Sequence, residues 1–314
     1  MDGSTGKMAL QVTGRRQLAR DIAEFTLARP EGGQLPSFAP GAHITIETPG
    51  GAMRRYSLVN DGTAPDTYVI AVKREAQSRG GSEAMHTQAQ PGTQLMVDPP
   101  ENDFALVAAS KYLLIAGGIG ITPILSMARA LAAQGTPFKL IYCTRSPEET
   151  AYLDEVAAIP GATVHHDQGD IDNFYDFWDH FETPGTEHVY CCGPAPLMEE
   201  IKALSGHWAE GRVHFEDFAG VEAVRADDTA FSVKLASSGR EILVPADRTI
   251  LEALRDAGEK TVSSCESGTC GTCKCRLVSG EADHRDLVLM DEEKSDYIMI
   301  CVSRAKSGDL VVDL

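Results

Sequence analysis

A group of cysteines close to the C-terminus constrains the fold more than any other feature of this sequence. Cys265, Cys270 and Cys273 are separated by four and then two residues, and Cys301 follows 28 residues after Cys273. Four thiolates at this spacing hold the two irons of a [2Fe–2S] cluster. The glycines between the cysteines allow the unusual dihedral angles and close backbone approach of a loop wrapped around a cluster. The spacing therefore predicts a metal site with these four cysteines as ligands.

Zinc is the main alternative at this loop. Structural zinc sites usually contain two short cysteine pairs, whereas here Cys301 stands alone. Cys275 is an alternative ligand, but the set of four is complete without it, and we interpret Cys275 as a small buried residue. We therefore favour the [2Fe–2S] cluster over zinc.

Length and charge limit the classes of protein to which the chain can belong. Its 314 residues are too many for one ordinary core and predict two or three domains. The 28 basic and 46 acidic residues give a net charge of −18, which argues against nucleic acid and anionic membrane surfaces as partners. No secretory signal is evident in Met1–Asp21, and glycines and a proline interrupt the uncharged run Tyr112–Ala128. We therefore expect a cytoplasmic protein without a membrane span, in a compartment where thiols bind metal more often than they form disulfides.

Three regions differ in the period of their apolar residues. Residues 1–106 contain short strand-like runs separated by glycine and proline turns, which predict a small antiparallel β-barrel. Residues 107–226 alternate strand-like and helix-like runs, which predict an α/β domain with a parallel sheet. Residues 229–314 predict an α+β domain with a hairpin, a capped helix, the cysteine loop and a short acidic helix near 291–297. The polar stretch 222–228 is the expected linker.

Two strand ends in the second region carry glycine. The run Tyr112–Pro123 predicts a buried strand, a turn on Gly117, Gly118 and Gly120, and the start of a helix. Glycine lets a pyrophosphate approach the backbone, and the helix N-terminus favours its charge. A second predicted strand ends at Cys192 and is followed by Gly193 and Pro194. Because ligands of such sheets bind outside the carboxyl ends of strands, the two ends together predict a dinucleotide cleft.

These motifs resemble those of the ferredoxin–NADP reductase superfamily. Gly117–Pro123 and Cys192-Gly193-Pro194 are similar to its nicotinamide motifs, and Arg54–Asn60 is similar to its R-x-Y-S flavin motif. The nicotinamide pattern is not the Rossmann G-x-G-x-x-G, so the acidic ribose rule of that motif does not transfer. Residues 229–314 resemble plant-type ferredoxins.

The order of the three regions narrows the resemblance to one family. A flavin domain, then a nicotinamide domain, then a ferredoxin domain is the arrangement of the phthalate dioxygenase reductase family, which vanillate demethylase reductases share. The resemblance covers essentially the full chain. It implies that electrons pass from NADH to FMN, to the [2Fe–2S] cluster and then to the oxygenase component of a Rieske-type aromatic oxygenase or demethylase. FMN is preferred over FAD, and NADH over NADPH, although Arg145 could pair with a 2′-phosphate.

The resemblance also assigns residues to each site. Ser57 and Thr122 are expected near the flavin N5 and Cys192 near the nicotinamide, and these three form the predicted catalytic set. The predicted FMN set is Arg55, Tyr56, Ser57, Leu58, Val72, Lys73, Arg79, Gly80, Gly81, Ser82, Thr122 and Phe218. The predicted nicotinamide set is Gly117, Gly118, Gly120, Ile121, Pro123, Thr144, Arg145, Cys192, Gly193 and Pro194.

Particular roles are expected within the flavin set. Arg55 can pair with a phosphate, Tyr56 can pack on the ring system, and Phe218 is expected to cover the flavin ring. Arg79–Ser82 is a second phosphate candidate, because backbone donors, a hydroxyl and an arginine can surround a phosphomonoester. Two other functions remain open: a stand-alone NAD(P)H reductase with a small-molecule or haem-protein acceptor, and a zinc-stabilised binding module.

Overall fold

A computed structural model describes residues 6–75, 80–218, 223–225, 227–263, 266, 268 and 271–314. The chain forms two compact units, Met1–Phe218 and Ala219–Leu314. The first unit contains two of the three sheets and the second unit contains the third. The division into domains at 1–106, 107–226 and 229–314 stays a prediction. Among the described residues, no helix is both long enough and apolar enough to cross a membrane.

The first sheet is antiparallel, and its six strands follow the order β4-β3-β6-β1-β2-β5. A bridge between Leu58 and Ile70 joins the two edge strands, so the sheet closes into the predicted barrel. In β6, Leu95 and Val97 are buried while Gln94 and Met96 are exposed, because successive side chains of a strand point to opposite faces. The elements are β1 (Met8–Ala19), β2 (Ile22–Ala28), β3 (His43–Glu47), β4 (Met53–Ser57), β5 (Thr67–Lys73), α1 (Gly81–Gln88) and β6 (Gln94–Val97).

The second sheet is fully parallel, and its order is β11-β10-β7-β8-β9. Its central strand β7 is buried along its whole length, as expected when helices cover both faces of a sheet. Leu114 and Ala116 enter the core on one face, while Leu113 and Ile115 enter the core on the other. The elements are β7 (Tyr112–Gly117), α2 (Ile121–Gln134), β8 (Phe138–Thr144), α3 (Leu153–Ala157), β9 (Ala162–His166), α4 (Trp178–Phe181), β10 (His188–Cys192), α5 (Ala195–Ser205) and β11 (Val213–Glu216).

Direct hydrogen bonds attach the barrel to the parallel sheet within the first unit. Arg129 of α2 donates to the Val59 carbonyl at 2.6 Å and pairs with Glu155 at 2.7 Å. The Tyr152 hydroxyl donates to Glu24 of β2 at 2.9 Å. These bonds fix the barrel relative to the carboxyl ends of the parallel strands.

The third sheet belongs to the second unit and mixes parallel and antiparallel pairs in the order β13-β12-β16-β14-β15. Helix α6 starts with a capping box, in which Thr249 and Glu252 bind each other's backbone N–H groups, as its sequence predicts. Residues 291–296 form turns and Tyr297 begins the next strand, so the prediction of a short acidic helix there is wrong. The elements are β12 (Phe231–Leu235), β13 (Glu241–Val244), α6 (Ile250–Asp256), β14 (Lys274–Asp283), β15 (Tyr297–Met299) and β16 (Arg304–Asp313).

A buried ion network holds the linker against this sheet. Asp228 lies 2.5 Å from the Arg285 guanidinium and 3.3 Å from that of Arg304. Arg285 also donates to the Ala223 carbonyl at 2.9 Å. The three charged side chains are each at most 6% exposed. Hydrogen bonds from Arg285 lower the pKa of Asp228 to about 2.

The Asp228→Asn variant should be less stable than the wild type by about 2 kcal/mol at pH 7. Because the folded pKa lies below the unfolded one, the carboxylate stabilises the folded state fully above about pH 4. This contribution is lost as the pH falls toward 2. Urea denaturation followed by circular dichroism between pH 7 and pH 3 should show that the difference in free energy of unfolding between the two proteins decreases at acid pH. Equal stabilities at pH 7 would show that the network contributes nothing.

Candidate functional site

The two glycine-bearing strand ends meet at the carboxyl edge of the parallel sheet. Strands β7 and β10 are neighbours, and Cys192 pairs with Ala116 in register. A Cβ atom at position 120 would lie 2.2 Å from the Cys192 carbonyl oxygen, and one at position 117 would lie 2.5 Å from Pro194 Cδ. Only glycine fits this contact, so the predicted nicotinamide motifs form one interlocked structure.

The start of α2 follows this contact directly. A single 3₁₀ turn, Gly118–Gly120, leads into Ile121, and Pro123 lies in the first helical turn. Thr122 is 2% exposed, and its hydroxyl donates to the Ile119 carbonyl at 3.1 Å. The N-terminus of a fourteen-residue helix therefore points at the glycine turn, which is the arrangement that favours a bound phosphate.

Burial keeps Cys192 uncharged. Its side chain is fully buried, and burial together with the nearby Glu216 carboxyl raises the pKa of the thiol well above its ordinary value. A thiol in this state packs as a small apolar group and does not act as a nucleophile.

Glu216 lies beside these strand ends and is not among the residues predicted from the sequence. It lies opposite Cys192 in the pairing of β10 with β11, and its Oε2 atom is buried without a hydrogen-bond partner among the described residues. Burial raises the pKa of Glu216 to about 8, against the opposing effect of Arg55. The carboxyl group is therefore protonated at neutral pH. Its only sequence signal is its place two residues before Phe218, which is 43% exposed.

Replacing Glu216 with glutamine should change how stability depends on pH. Between the ordinary pKa of 4.5 and the folded pKa of about 8, the carboxyl ionises in the unfolded chain but not in the folded one, so the folded state loses stability as the pH rises through this range. A glutamine side chain at this position cannot ionise. Urea denaturation should therefore show Glu216→Gln gaining about 3 kcal/mol on the wild type between pH 5 and pH 8.5. If the free energies of unfolding of the two proteins change with pH in the same way, the Glu216 carboxyl does not have a raised pKa.

The two arginines of the flavin motif point in opposite directions from β4. A Cβ atom at position 81 would lie 2.8 Å from Arg54 Nε, so Arg54 covers the start of α1. Arg55 instead pairs with Asp103 at 2.5 Å and with His43 Nδ1 at 3.0 Å. The structure thus brings Arg54 to the loop that was the second phosphate candidate, and the pairing of Arg55 with a phosphate stays a prediction.

That loop supplies part of the predicted phosphate site. Gly80 has φ +86°, a left-handed conformation that favours glycine, and α1 begins at the next residue. The Ser82 hydroxyl accepts a hydrogen bond from the Glu75 N–H at 3.1 Å. Arg79 lies outside the described residues.

The remaining residues predicted for the flavin site differ in burial and fall into three groups. Ser57 is 4% exposed, and its Oγ has no hydrogen-bond partner within the described part of the chain. Burial raises the pKa of the neighbouring Tyr56 hydroxyl. Leu58 and Val72 enter the barrel core, so only their backbone atoms are available to a ligand. Lys73 is exposed and pairs with Glu75 at 3.1 Å.

The predicted ribose residues follow β8. Thr144 is buried, and its hydroxyl is hydrogen-bonded to Thr150 at 2.7 Å. Arg145 is exposed, and its carbonyl accepts a hydrogen bond from the Gln168 N–H at 2.9 Å. The side chain available to a ligand here is therefore that of Arg145.

Two of the four predicted cluster ligands are described. Cys273 and Cys301 are buried, and their Sγ atoms lie 2.8 Å apart. Cys265 and Cys270 lie outside the described residues. Cys275 packs in the core of the second unit, and burial raises its pKa to about 12. The two converging thiols fit a metal cluster, and the burial of Cys275 agrees with its interpretation as a core residue.

Comparisons with known proteins agree with this geometry. Residues 114–203 match the oxidoreductase NAD-binding domain, and residues 233–306 match the 2Fe-2S iron-sulfur cluster binding domain. The chain is 49% identical to the phthalate 4,5-dioxygenase oxygenase reductase subunit of Pseudomonas putida, covering 100% of this chain and 98% of that protein. It is 41% identical to the vanillate O-demethylase oxidoreductase of Pseudomonas sp. (strain HR199 / DSM 7063). That match covers 96% of this chain and 98% of that protein.

A solved structure extends the likeness to the fold. It is a phthalate dioxygenase reductase, described as a modular structure for electron transfer from pyridine nucleotides to [2Fe–2S]. The TM-score is 0.89 at 49% identity, and 98% of each chain is covered. This similarity confirms the predicted fold class of an antiparallel β-barrel, a parallel-sheet α/β domain and a ferredoxin-like domain. The chain therefore belongs to the phthalate dioxygenase reductase family, and it is an oxidoreductase with a nicotinamide-binding domain and a [2Fe–2S] domain.

Proposed function

We propose that this protein transfers electrons from NADH through FMN and its [2Fe–2S] cluster to the oxygenase component of a Rieske-type system. One observation carries the flavin part of this proposal. Val59, within the flavin-motif segment Arg54–Asn60, packs in the same core as Ile121 and Cys192 of the nicotinamide motifs. The segments that would bind the two cofactors therefore meet within the first unit.

The chain's own residues would hold the nicotinamide. The glycine turn and the N-terminus of α2 receive the pyrophosphate, because they offer backbone N–H groups without side-chain obstruction. Cys192 lies in the core behind the glycine turn as an uncharged group, so its thiol adds no charge beside the nicotinamide. Glu216 keeps its proton at neutral pH and adds no net charge beside it.

Other residues would hold FMN. Arg54 and the start of α1 form a compact site for a phosphomonoester, which supports FMN over a dinucleotide flavin. The buried Ser57 hydroxyl has its hydrogen-bonding capacity available for the ring. When bound, the flavin supplies the change from paired to single electron transfer, which is chemistry that the protein side chains lack.

Cys265, Cys270, Cys273 and Cys301 would hold the cluster. The convergence of Cys273 and Cys301 supports this assignment. An oxygenase partner is supported by the names of the relatives, which are reductase parts of dioxygenase and demethylase systems. A Rieske centre in that partner, and a cytoplasmic location for this chain, are parts of the proposal.

A comparison of two arginine variants tests the flavin site. Arg54→Met should lose at least about tenfold in FMN affinity, because a phosphate loses its charged partner beside α1. Arg55→Met removes the same charge from the neighbouring strand position and is the matched control. The measurement is the dissociation constant from fluorescence of FMN added back to the flavin-free protein.

Two results would count against this assignment. If Arg55→Met weakens FMN binding more than Arg54→Met does, the phosphate binds where the sequence analysis predicted. If acid extraction of the purified protein releases FAD and no FMN, the flavin proposed here is wrong.

A further inference from the structure

Two large apolar side chains are exposed in the segment between β14 and β15. Leu287 is 68% exposed and Met290 is 70% exposed, whereas Leu289 between them is only 7% exposed. The segment therefore anchors itself through one leucine and presents the other two side chains to solvent. We call Leu287 and Met290 the apolar patch.

Side-chain hydrogen bonds hold the backbone of this segment in place. Asp286 accepts from the N–H groups of Val288 and Leu289, at 3.1 and 2.7 Å. Glu293 accepts from the N–H group of Met290 at 3.1 Å and donates its own N–H to the Met290 carbonyl at 2.9 Å. A surface that is already ordered loses little conformational entropy when a partner binds.

The apolar patch adjoins the cluster loop. The Leu287 N–H donates to the Gly268 carbonyl at 3.0 Å, and a Cβ atom at position 271 would lie 3.4 Å from Val288 Cγ1. Gly268 and Gly271 lie between the cysteines predicted to bind the cluster. A protein bound here would have its electron acceptor close to the cluster, and electron transfer is fast only over short distances.

Acidic side chains follow the apolar patch along the chain. Residues 291–296 contain one lysine and four carboxylates, those of Asp291, Glu292, Glu293 and Asp296, so this segment carries a net charge of −3. The lysine pairs with Asp291, whose side chain is 91% exposed, and Glu293 pairs with Lys274 at 2.5 Å. The Asp286 carboxylate is fully buried and is not part of this acidic rim.

The negative charge of this segment limits which proteins can bind the apolar patch. A second copy of the chain would present the same acidic segment and a net charge of −18, so the two copies would repel each other. A protein with basic side chains around an apolar hollow would be attracted. The combination of apolar centre and acidic rim therefore favours a different, basic-rimmed protein.

We propose that Leu287 and Met290 form the centre of the surface that docks the oxygenase component, with the acidic rim recognising basic side chains around its electron-accepting site. This inference rests on the function proposed above. The apolar side chains would supply most of the affinity, because a few central residues dominate protein interfaces. The rim would supply the association rate and its dependence on salt.

The test uses the full chain with its cofactors and the oxygenase component of phthalate 4,5-dioxygenase as the probe. Replacing both Leu287 and Met290 with alanine should raise the oxygenase concentration needed for half-maximal NADH-driven phthalate oxidation by about tenfold. Reduction of the cluster by NADH, followed by EPR, should not change. The matched control replaces Leu243 and Val278, which are 64% and 51% exposed on β13 and β14, and it should couple like the wild type.

Each other outcome contradicts a particular claim. Normal coupling by the Leu287/Met290 double variant, or equal loss in the control, would overturn the docking surface. A wild-type dimer that the same double variant disperses would show that the patch binds a second copy. Failure of NADH to reduce the cluster in the wild type would refute the proposed function itself. A reducible cluster with no coupling to the oxygenase would contradict both the partner and its docking site.

Discussion

The Cys301→Ser variant should bind flavin and be reduced by NADH, yet give no [2Fe–2S] EPR signal. Two tetrahedral irons require four protein ligands, and iron–sulfur clusters select soft thiolates, which a serine oxygen does not supply. Cys301 belongs to the second unit, whereas the nicotinamide and flavin motifs belong to the first. The loss should therefore be confined to the last step of electron transfer. Iron analysis and EPR after anaerobic reduction measure it.

Cys275→Ser is the matched control for this variant. Cys275 lies two residues after Cys273, is buried in the core of the second unit and has a pKa raised to about 12. Its serine variant should keep the EPR signal of the wild type. If Cys275→Ser loses the cluster and Cys301→Ser keeps it, the assignment of ligands is wrong.

The Gly120→Ala variant should lose about a hundredfold in kcat/KM for NADH. The added methyl group would lie 2.2 Å from the Cys192 carbonyl oxygen, which is backbone and cannot rotate away. The end of β10 or the glycine turn must then move, and a displacement of about 1 Å at a reacting centre can cost that much. Stopped-flow reduction by NADH over a range of concentrations separates the loss of affinity from the loss of rate.

Gly206→Ala controls for the general effect of replacing a glycine. Gly206 has helical dihedral angles, and a Cβ atom there would lie 3.7 Å from its nearest neighbour, the Ala203 carbonyl. NADH should reduce the Gly206→Ala variant at the same rate as the wild type. Chemical reduction with dithionite should still yield the cluster signal in Gly120→Ala. Unchanged NADH kinetics in Gly120→Ala would show that the interlocked strand ends do not bind the dinucleotide.

The nicotinamide motifs show what the sequence could predict. Strand ends, glycine turns and helix starts are local features, so Gly117–Pro123 and Cys192-Gly193-Pro194 could be placed at strand ends from the chain alone. Because parallel strands end at the same edge, their meeting there followed from the fold class. The short distances between the two motifs could not be predicted from the sequence and are known only from the structure.

The choice between Arg54 and Arg55 shows why other residues could not be predicted. The two arginines are adjacent in a strand, so their side chains point to opposite faces. The sequence does not say which face meets α1. The packing of β4 against that helix decides it, and Arg54 lies there.

Glu216 and the segment 291–297 depended on tertiary contacts as well. A carboxyl group in a short strand looks solvent-exposed until β11 is paired with β10, which places Glu216 opposite Cys192. The acidic segment has the composition of a helix end. The N–H groups of the three residues just before it, Val288, Leu289 and Met290, bind the Asp286 and Glu293 carboxylates, and such local bonds compete with helix formation.

Anaerobic reduction of the purified protein by NADH tests the central claim most directly. Visible absorption would follow the flavin, and low-temperature EPR would follow the cluster in the same samples. We expect NADH to bleach the flavin band and a rhombic [2Fe–2S] signal to appear. A colourless protein that holds one zinc ion per chain and does not react with NADH would contradict the proposed electron transfer.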